Sequence, residues 1–328
     1  MTEMTPLPKV AIITLNWRNY KDTIDCLNSL LKQEYPYFQI FVLDNGSHDG
    51  SVEHIEDWGK KRLGNDFLSV QADNAERLSP KQRVVLLKSE ENTGYTGGNN
   101  LACRVAMHTN AVYIWFINND TIQDSGALSA LVSAVESNVK AGMASSKVLY
   151  FTRPDVIESI GSTLIVPIGV FRHMGQGNRD SDVSQTLIKV PYVYGCSFLV
   201  KVALIKDVGL MDERYFLLRE EGDWSIRARR KGWNLYSALN SRVWHKVASS
   251  IRKRSELFFY YVTRNTLLFM WKHYPIFMPL TALSMLFLLS GLIFVDNFFS
   301  MRKNLFGKLK MMALGYIHFF SRKFGKAI

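Results

Sequence analysis

The sequence predicts an α/β protein built on a doubly wound, mostly parallel sheet. Short apolar runs alternate with segments whose apolar residues recur at helical spacing, and three of the runs end in a polar side chain, Asn16, Asp44 or Asp120. This alternation is typical of a parallel sheet flanked by helices. Because ligands bind at the carboxyl ends of the strands in such sheets, we expect these side chains to line one cleft.

The elements follow one another at regular spacing through the first half of the chain. Apolar runs predict strands at 10–15, 39–43, 84–87 and 112–117. Helical spacing predicts helices over 24–31, 52–58, 98–107 and 125–137. From 147 to 185 the pattern loosens into short strands and glycine-rich turns, and it re-forms as a strand at 187–193, a helix from about 201, a basic helix after 218 and a strand at 233–238.

Composition narrows the class of protein. The chain has 328 residues with 47% hydrophobic content, enough for one large α/β domain and an appendage. A net charge of +11 is compatible with binding to nucleic acid, an anionic membrane or phosphorylated substrates. Only the position of the charges along the chain distinguishes these partners. Cys26, Cys103 and Cys196 lie too far apart in sequence for a disulfide framework or a cysteine zinc site, so we expect a reducing cytosol. Residues 1–8 lack the features of a secretory signal.

The most unusual segment places Glu220, Glu221 and Asp223 directly before the basic helix. The helix dipole alone favours acids at this end, so an ordinary charged helix start is one interpretation. Three carboxylates in four residues are also costly to hold together unless a cation, a base role or solvent relieves them. This concentration favours a general base.

Other polar segments follow the predicted strands. Residues 44–47 form either a turn or a nucleotide contact. The glycine-rich segment 92–100 could let backbone N–H groups approach a diphosphate at a helix start, or serve only as a helix cap; it matches neither a Walker loop nor a dinucleotide fingerprint. Asp120 is a candidate ligand for a hard divalent cation, or a helix cap. His245 is a lone histidine, which is most often structural.

Taken together in this order, the segments resemble glycosyltransferase family 2, inverting enzymes with the GT-A fold, with similarity to bacterial rhamnosyltransferase-like members. The resemblance runs from Val10 to about Tyr274. It implies base-motif residues Glu220, Glu221 and Asp223, metal ligands Asp120 and His245 for Mg²⁺ or Mn²⁺, and donor contacts at Thr14, Asn16, Asp44, Asn45, Ser47, Gly97, Gly98, Asn99 and Asn119.

Two departures from the family pattern matter. The metal motif DxD reads Asn118-Asn119-Asp120, so one carboxylate must hold the cation. The base motif Glu-Asp reads Glu220-Glu221, which leaves Glu221 and Asp223 as rival bases. The resemblance implies transfer of a sugar, with rhamnose as a candidate, from a nucleotide donor to a lipid-linked (polyprenol) or cell-surface glycan. Alternatives are a catalytically silent membrane scaffold and, with less support, a nucleotidyltransferase; no nucleic-acid partner is expected, and an oligomer stays open.

The last part of the chain predicts membrane association. Residues 276–295 carry no charge over a length that can span a bilayer, and basic residues lie on both sides. Pro275, Pro279 and Ser290-Gly291 suggest broken helices that enter one leaflet, followed by a basic surface helix. The predicted apolar face of that helix is Phe306, Leu309, Met312, Ala313, Tyr316, Phe319 and Phe320. We therefore predict a catalytic domain over 1–273 and a membrane-associating segment over 274–328 at the cytoplasmic face of a bacterial inner membrane, the alternative being a buried hairpin or oligomer interface.

Overall fold

A computed structural model describes residues 7–75, 79–246, 255–299 and 304–327. The strands are β1 (Val10–Asn16), β2 (Phe38–Asn45), β3 (Phe67–Gln71), β4 (Val84–Ser89), β5 (Tyr113–Ile117), β6 (Thr121–Gln123), β7 (Ala141–Tyr150), β8 (Arg153–Ser159), β9 (Ser162–Ile165), β10 (Val170–His173), β11 (Leu187–Lys189), β12 (Ser197–Lys201) and β13 (Asn234–His245). The helices are α1 (Tyr20–Leu30), α2 (Ser51–Leu63), α3 (Ala72–Ala75), α4 (Gly94–Met107), α5 (Ala127–Glu136), α6 (Val202–Val208), α7 (Glu220–Arg230), α8 (Glu256–His273), α9 (Met278–Phe299) and α10 (Leu305–Phe320).

One large sheet organises the described chain. Its order is β11-β13-β7-β12-β5-β1-β2-β4-β3, with β6 added to β13 and β8 to β7, while β9 and β10 form a separate hairpin. The strands from β5 to β3 along this order are parallel, β12 runs antiparallel to both its neighbours, and β7 and β13 are parallel again. The predicted α/β architecture with a mostly parallel sheet is confirmed.

The core lies on both faces of this sheet because alternate strand residues point to opposite sides. On β1, Ala11 and Ile13 pack toward α4, whereas Val10 and Ile12 pack toward α1 and α5. The three cysteines are buried and unpaired, as their spacing predicted. A sheet covered on both faces leaves the carboxyl ends of its parallel strands as the place for a cleft.

Four described strands, β3, β6, β7 and β12, escaped the sequence prediction. β7 and β12 lie next to each other in the sheet with nearly every residue buried, so neither shows the alternation that marks a half-exposed strand. β3 is an edge strand of half-buried residues. The glycine-rich helix α4 also begins four residues earlier than predicted, at Gly94.

The carboxyl-terminal helices pack on one another, and α9 corrects the prediction of broken helices. α9 continues unbroken through Ser290-Gly291, while Pro275 opens a 3₁₀ turn and Pro279 falls in the first turn of α9, where proline is tolerated. Within the described residues, one helix, Pro275–Val295, is long and apolar enough to cross a membrane, and most of it is exposed.

The predicted apolar face of α10 is also corrected, because some of its residues are buried in the protein and others are exposed. Met312 and Phe319 are buried against α8 and α9, whereas Phe306 and Phe320 are exposed.

Candidate functional site

The ends of β1 and β2 form a hydrogen-bond network of predicted donor contacts. The Asn16 amide donates to the Asp44 carboxylate (2.6 Å) and the Ser47 hydroxyl (3.2 Å). Ser47 donates to Asp44 from its hydroxyl (2.6 Å) and its backbone N–H (3.1 Å). All three side chains are buried. Asp44 is thereby fixed in one orientation, which suits a carboxylate that recognises N–H groups of a nucleobase.

The same hydrogen-bond network reaches the residues that follow β5. Asn119 donates to the Thr23 hydroxyl (2.8 Å), which donates to the side-chain oxygen of Asn16 (2.8 Å). Thr14, two residues before Asn16 on β1, is fully buried, and its hydroxyl makes no hydrogen bond with the part of the chain that the structure describes. Five of the predicted site residues, counting Asp44 and Ser47, therefore lie together at one edge of the sheet.

The glycine-rich start of α4 is packed against the core. A Cβ at Gly98 would lie 3.1–3.2 Å from side-chain atoms of β1 and β2, and the side chain of Asn99 is buried and bonds the Tyr95 carbonyl. Gly97 is buried as well. Asn45 caps this segment by accepting from Thr93 and donating to the Gly94 carbonyl. These contacts hold α4 against the sheet, and the donor contacts expected at Gly97, Gly98 and Asn99 stay a prediction.

Asp120 and His245 meet where β5 and β13 end. Nε2 of His245 lies 3.3 Å from Oδ1 of Asp120, and Nδ1 lies 2.8 Å from Oε2 of Glu158. Burial alone would lower the pKa of His245, but its bonds to Asp120 and Glu158 raise it to about 9. Glu158, which the sequence did not single out, fixes the ring so that Nε2 faces Asp120.

This pair fits the metal that the family implies. The buried Nε2 atom has no well-aligned hydrogen-bond partner among the described residues, and one imidazole nitrogen beside one carboxylate is a donor set that Mn²⁺ accepts. No group of three or more histidine, cysteine or acidic side chains encloses a metal in the described residues. The remaining ligands of a cation held here would be donor phosphates and water.

Glu220 and Glu221 begin α7 on the other side of the cleft. Glu220 is buried with one carboxylate oxygen unpartnered by any described residue, whereas Glu221 is half-buried. Burial raises the pKa of both, and the neighbouring carboxylate raises that of Glu220 further. Glu221 lies over Gly195, where a Cβ would sit 3.3 Å from its carboxyl carbon. Glycine at this position leaves room for the side chain of Glu221.

Asp223, the rival base, is fully buried and surrounded by donors. Its carboxylate meets Nε2 of His273 at 2.7 Å and Nζ of Lys272 at 2.6 Å on one oxygen, and Nε of Arg227 at 2.7 Å on the other. Burial would raise the pKa of Asp223, but the His273 bond and the two cations hold it well below its usual range. These contacts fix α7 to α8 through the buried carboxylate of Asp223, which favours Glu221 as the base.

The loop that leads into Glu220 has an unusual backbone. Phe216, Leu218 and Arg219 have φ angles of 61°, 70° and 81°, in the left-handed region that costs about 1–3 kcal/mol for a residue other than glycine. The Phe216 carbonyl accepts from the Thr96 N–H of α4 (3.2 Å). Nothing in the residue types of this loop predicts the conformation, so sequence reasoning missed it.

Residues 194–196 connect the two sides. Tyr194 donates to Glu158 (3.0 Å), Gly195 lies under Glu221, and the Cys196 carbonyl accepts from the backbone N–H of Asn118 (2.9 Å). Residues 194–196 therefore lie between the end of β5 and Glu221 of α7.

Comparisons with known proteins agree with this architecture. The model of the family Glycosyl transferase family 2 matches residues 10–209. No curated protein matches the chain. Three solved structures are similar to it, all at low identity: GalNAc-T7 with UDP, GalNAc and Mn²⁺ (13% identity, TM-score 0.56, 73% of this chain and 44% of that one), the mannosyltransferase PcManGT from Pyrobaculum calidifontis with GDP-Man and Mn²⁺ (13%, 0.55, 97% and 89%), and S. aureus TarS (16%, 0.51, 89% and 44%).

At these identities the structural likenesses show the fold, which is GT-A. The chain spans less than half the length of GalNAc-T7 and of TarS. The family match covers more than half of the chain and includes β1, β2, β5 and the residues at their ends. The chain therefore belongs to glycosyl transferase family 2.

Proposed function

We propose that the protein transfers a sugar, with rhamnose as a candidate, from a nucleoside diphosphate donor to a glycan acceptor with inversion at the anomeric carbon. The observation that carries this proposal is the position of Glu221, half-exposed above Gly195 and across residues 194–196 from Asp120. A single base facing the acceptor, opposite the diphosphate, suits one direct displacement. The complexes of GalNAc-T7 with UDP and PcManGT with GDP-Man support the donor class.

The proposed chemistry begins with proton removal by Glu221. A sugar hydroxyl is a weak nucleophile at neutral pH, so a positioned carboxylate that takes its proton contributes about 10²–10⁴-fold. The acceptor oxygen then bonds to the anomeric carbon as the bond from that carbon to the diphosphate breaks. Burial and the neighbouring Glu221 carboxylate raise the pKa of Glu220, and burial raises that of Glu221, which suits a carboxylate that accepts a proton. A divalent cation at Asp120 and His245 would supply positive charge for the leaving diphosphate.

We further propose that α9 and α10 bind the cytoplasmic face of a bacterial inner membrane, where the acceptor is lipid-linked. Large apolar side chains are exposed on both helices, including Leu283, Phe287 and Phe294 on α9 and Phe306 and Phe320 on α10. Exposed basic residues accompany them at Lys310, Arg322, Lys323 and Lys326. Apolar insertion combined with attraction to anionic lipid is the arrangement expected of a peripheral membrane surface.

The enzymatic part is tested by incubating the purified protein with uridine, guanosine and thymidine diphosphate sugars. A donor should raise the thermal unfolding midpoint by mass action and be hydrolysed or transferred. The anomeric configuration of the product, read by NMR, tests inversion. Retention of configuration would contradict the single displacement, and binding without any turnover would favour the catalytically silent scaffold.

The membrane part is tested by sedimentation with anionic phospholipid vesicles. Replacing Leu283 and Phe287, which are 54% and 68% exposed, by glutamate should reduce pelleting several-fold. Val139→Glu is the control, because Val139 is an apolar residue 90% exposed in the turn between α5 and β7. Equal pelleting of all three proteins would contradict this surface.

A further inference from the structure

Arg264, in the middle of α8, is a fully buried cation whose donors are all used. A guanidinium has five N–H groups, and each of the five makes a hydrogen bond of 2.6–3.2 Å. The acceptors are the side-chain oxygens of Asn265 and Tyr260 and the backbone carbonyls of Arg214, Tyr215 and Gly325. Burying a charge in this way is costly unless its donors are satisfied, so these acceptors are held in place together with the guanidinium.

Asn265, the next residue, extends the same set of contacts. Its amide nitrogen lies 2.8 Å from the carbonyl oxygen of Tyr215, 2.6 Å from that of Leu217 and 3.0 Å from that of Leu218. Its side-chain oxygen accepts from Arg264, which fixes the orientation of the amide. Arg264 and Asn265 together therefore bind four of the five carbonyls from Arg214 to Leu218, the exception being Phe216, which accepts from α4.

This segment is the strained loop that leads into Glu220 and Glu221. Residues in the left-handed region persist only where their surroundings hold them. Asn265 binds the carbonyls of Leu217 and Leu218. These carbonyls lie directly before Leu218 and Arg219, two of the three residues with positive φ. Since Arg219 precedes Glu220 directly, the direction in which α7 starts depends on this loop.

We propose that Arg264 and Asn265 are positioning residues of the sugar-transfer reaction, which set the base carboxylates in the cleft by holding the carbonyls of residues 214–218. This inference rests on the proposed role of Glu221. The pair touches the loop from the side of α8, so neither residue contacts the reacting groups. The carboxyl-terminal residues take part, because the Gly325 carbonyl binds Arg264 and the Gly325 N–H binds the Arg214 carbonyl (3.0 Å).

The test is Asn265→Asp, which keeps the size of the side chain and removes both N–H donors. We expect kcat to fall at least about tenfold, because a proton acceptor displaced from its site loses most of its effect. The dissociation constant for the donor nucleotide should stay within about twofold, because the donor contacts lie on β1, β2 and β5. Hydrogen exchange of the backbone amides in 216–223 should become faster. This last readout needs no activity, so it separates failure of the inference from failure of the proposed function.

Thr263→Val is the matched control. Thr263 is as buried as Asn265 on the same helix, but its hydroxyl bonds the Phe259 carbonyl within α8 and its side chain faces Gly315 of α10. We expect this variant to keep the kcat and the exchange rates of the parent protein.

Leu218→Gly in the Asn265→Asp background provides a rescue that a merely structural role would not give. Glycine adopts positive φ without strain, so the double variant should recover kcat several-fold. The proposal would be overturned if Asn265→Asp kept the kcat of the parent protein. This holds whether the backbone amides of 216–223 exchange at the parent rate or faster. If Asn265→Asp does not fold, Asn265→Ser takes its place in the same measurements and is judged by the same outcomes.

Discussion

The two walls of the cleft differ in what holds their functional side chains. The donor wall, named for its proposed role, consists of Asn16 and Asp44 at the ends of β1 and β2 and of Asp120 just after β5, so the hydrogen-bond ladder of the sheet fixes their positions. The base wall consists of Glu220 and Glu221, which follow a strained loop held by side chains of α8. A substitution on the donor wall should therefore affect only the function of the side chain that is replaced. On the base wall, substitutions that never touch substrate should affect turnover as well.

The largest effect is expected at the base itself. Glu221→Gln should lower kcat by about 10²–10⁴-fold with donor affinity nearly unchanged, because only the proton acceptor is lost. Steady-state kinetics with donor and acceptor varied separately measures both quantities.

Asp223→Asn is the control for this assignment. It leaves Arg227, Lys272 and His273 without their buried carboxylate, so it should lower the free energy of unfolding by about 3–5 kcal/mol. If folded Asp223→Asn loses more kcat than Glu221→Gln, the base is Asp223.

The next largest effect is expected on the donor wall. Asp120→Ala should reduce kcat by about 10²–10³-fold, comparable to the removal of one group that stabilises developing charge, and should weaken donor binding. The same activity should disappear in excess chelator and return with Mn²⁺. Full activity of the parent protein in chelator would contradict the metal assignment at Asp120 and His245.

A stability prediction tests the contact between the start of α4 and the loop that leads into α7. A Cβ at Gly94, where φ is 77°, would lie 2.4 Å from the Phe216 carbonyl oxygen, so Gly94→Ala must move the loop or the start of α4. We expect the free energy of unfolding to fall by about 2–4 kcal/mol, the strain of the left-handed backbone plus the clash. Gly50→Ala, at φ 86° with open space around it, should cost only about 1–2 kcal/mol. Equal losses in urea unfolding would contradict a tight contact at Gly94.

The smallest effect concerns acid. Burial would raise the pKa of Asp212, but its bonds to Arg214 and Lys272 lower it to about 2. A carboxylate with a depressed folded-state pKa stabilises the fold above its unfolded value of about 3.9, and this contribution is lost as the pH falls toward 2. Asp212→Asn should therefore cost about 1–2 kcal/mol at pH 6 and about a third of that at pH 2.5. A cost independent of pH would show that packing, not charge, stabilises this contact.

The same difference between the walls explains what the sequence could predict. β1, β2 and β5 are apolar runs that end in polar residues, so their ends and the cleft follow from the pattern. Glu158 lies in an irregular part of the chain, and its contact with His245 depends on the pairing of distant strands. A positive φ at Phe216 or Leu218 contradicts local preference and arises only from tertiary contacts.

The contact between Arg264 and Gly325 has a consequence for biosynthesis. The base carboxylates leave the ribosome about a hundred residues before the carbonyl of Gly325 that completes the guanidinium's partners, an interval of about 5–20 seconds at typical elongation rates of 5–20 residues per second. Throughout this interval the loop before α7 lacks part of its support, because the Gly325 carbonyl has not yet been made. We therefore expect full turnover to begin only after synthesis of the carboxyl-terminal residues.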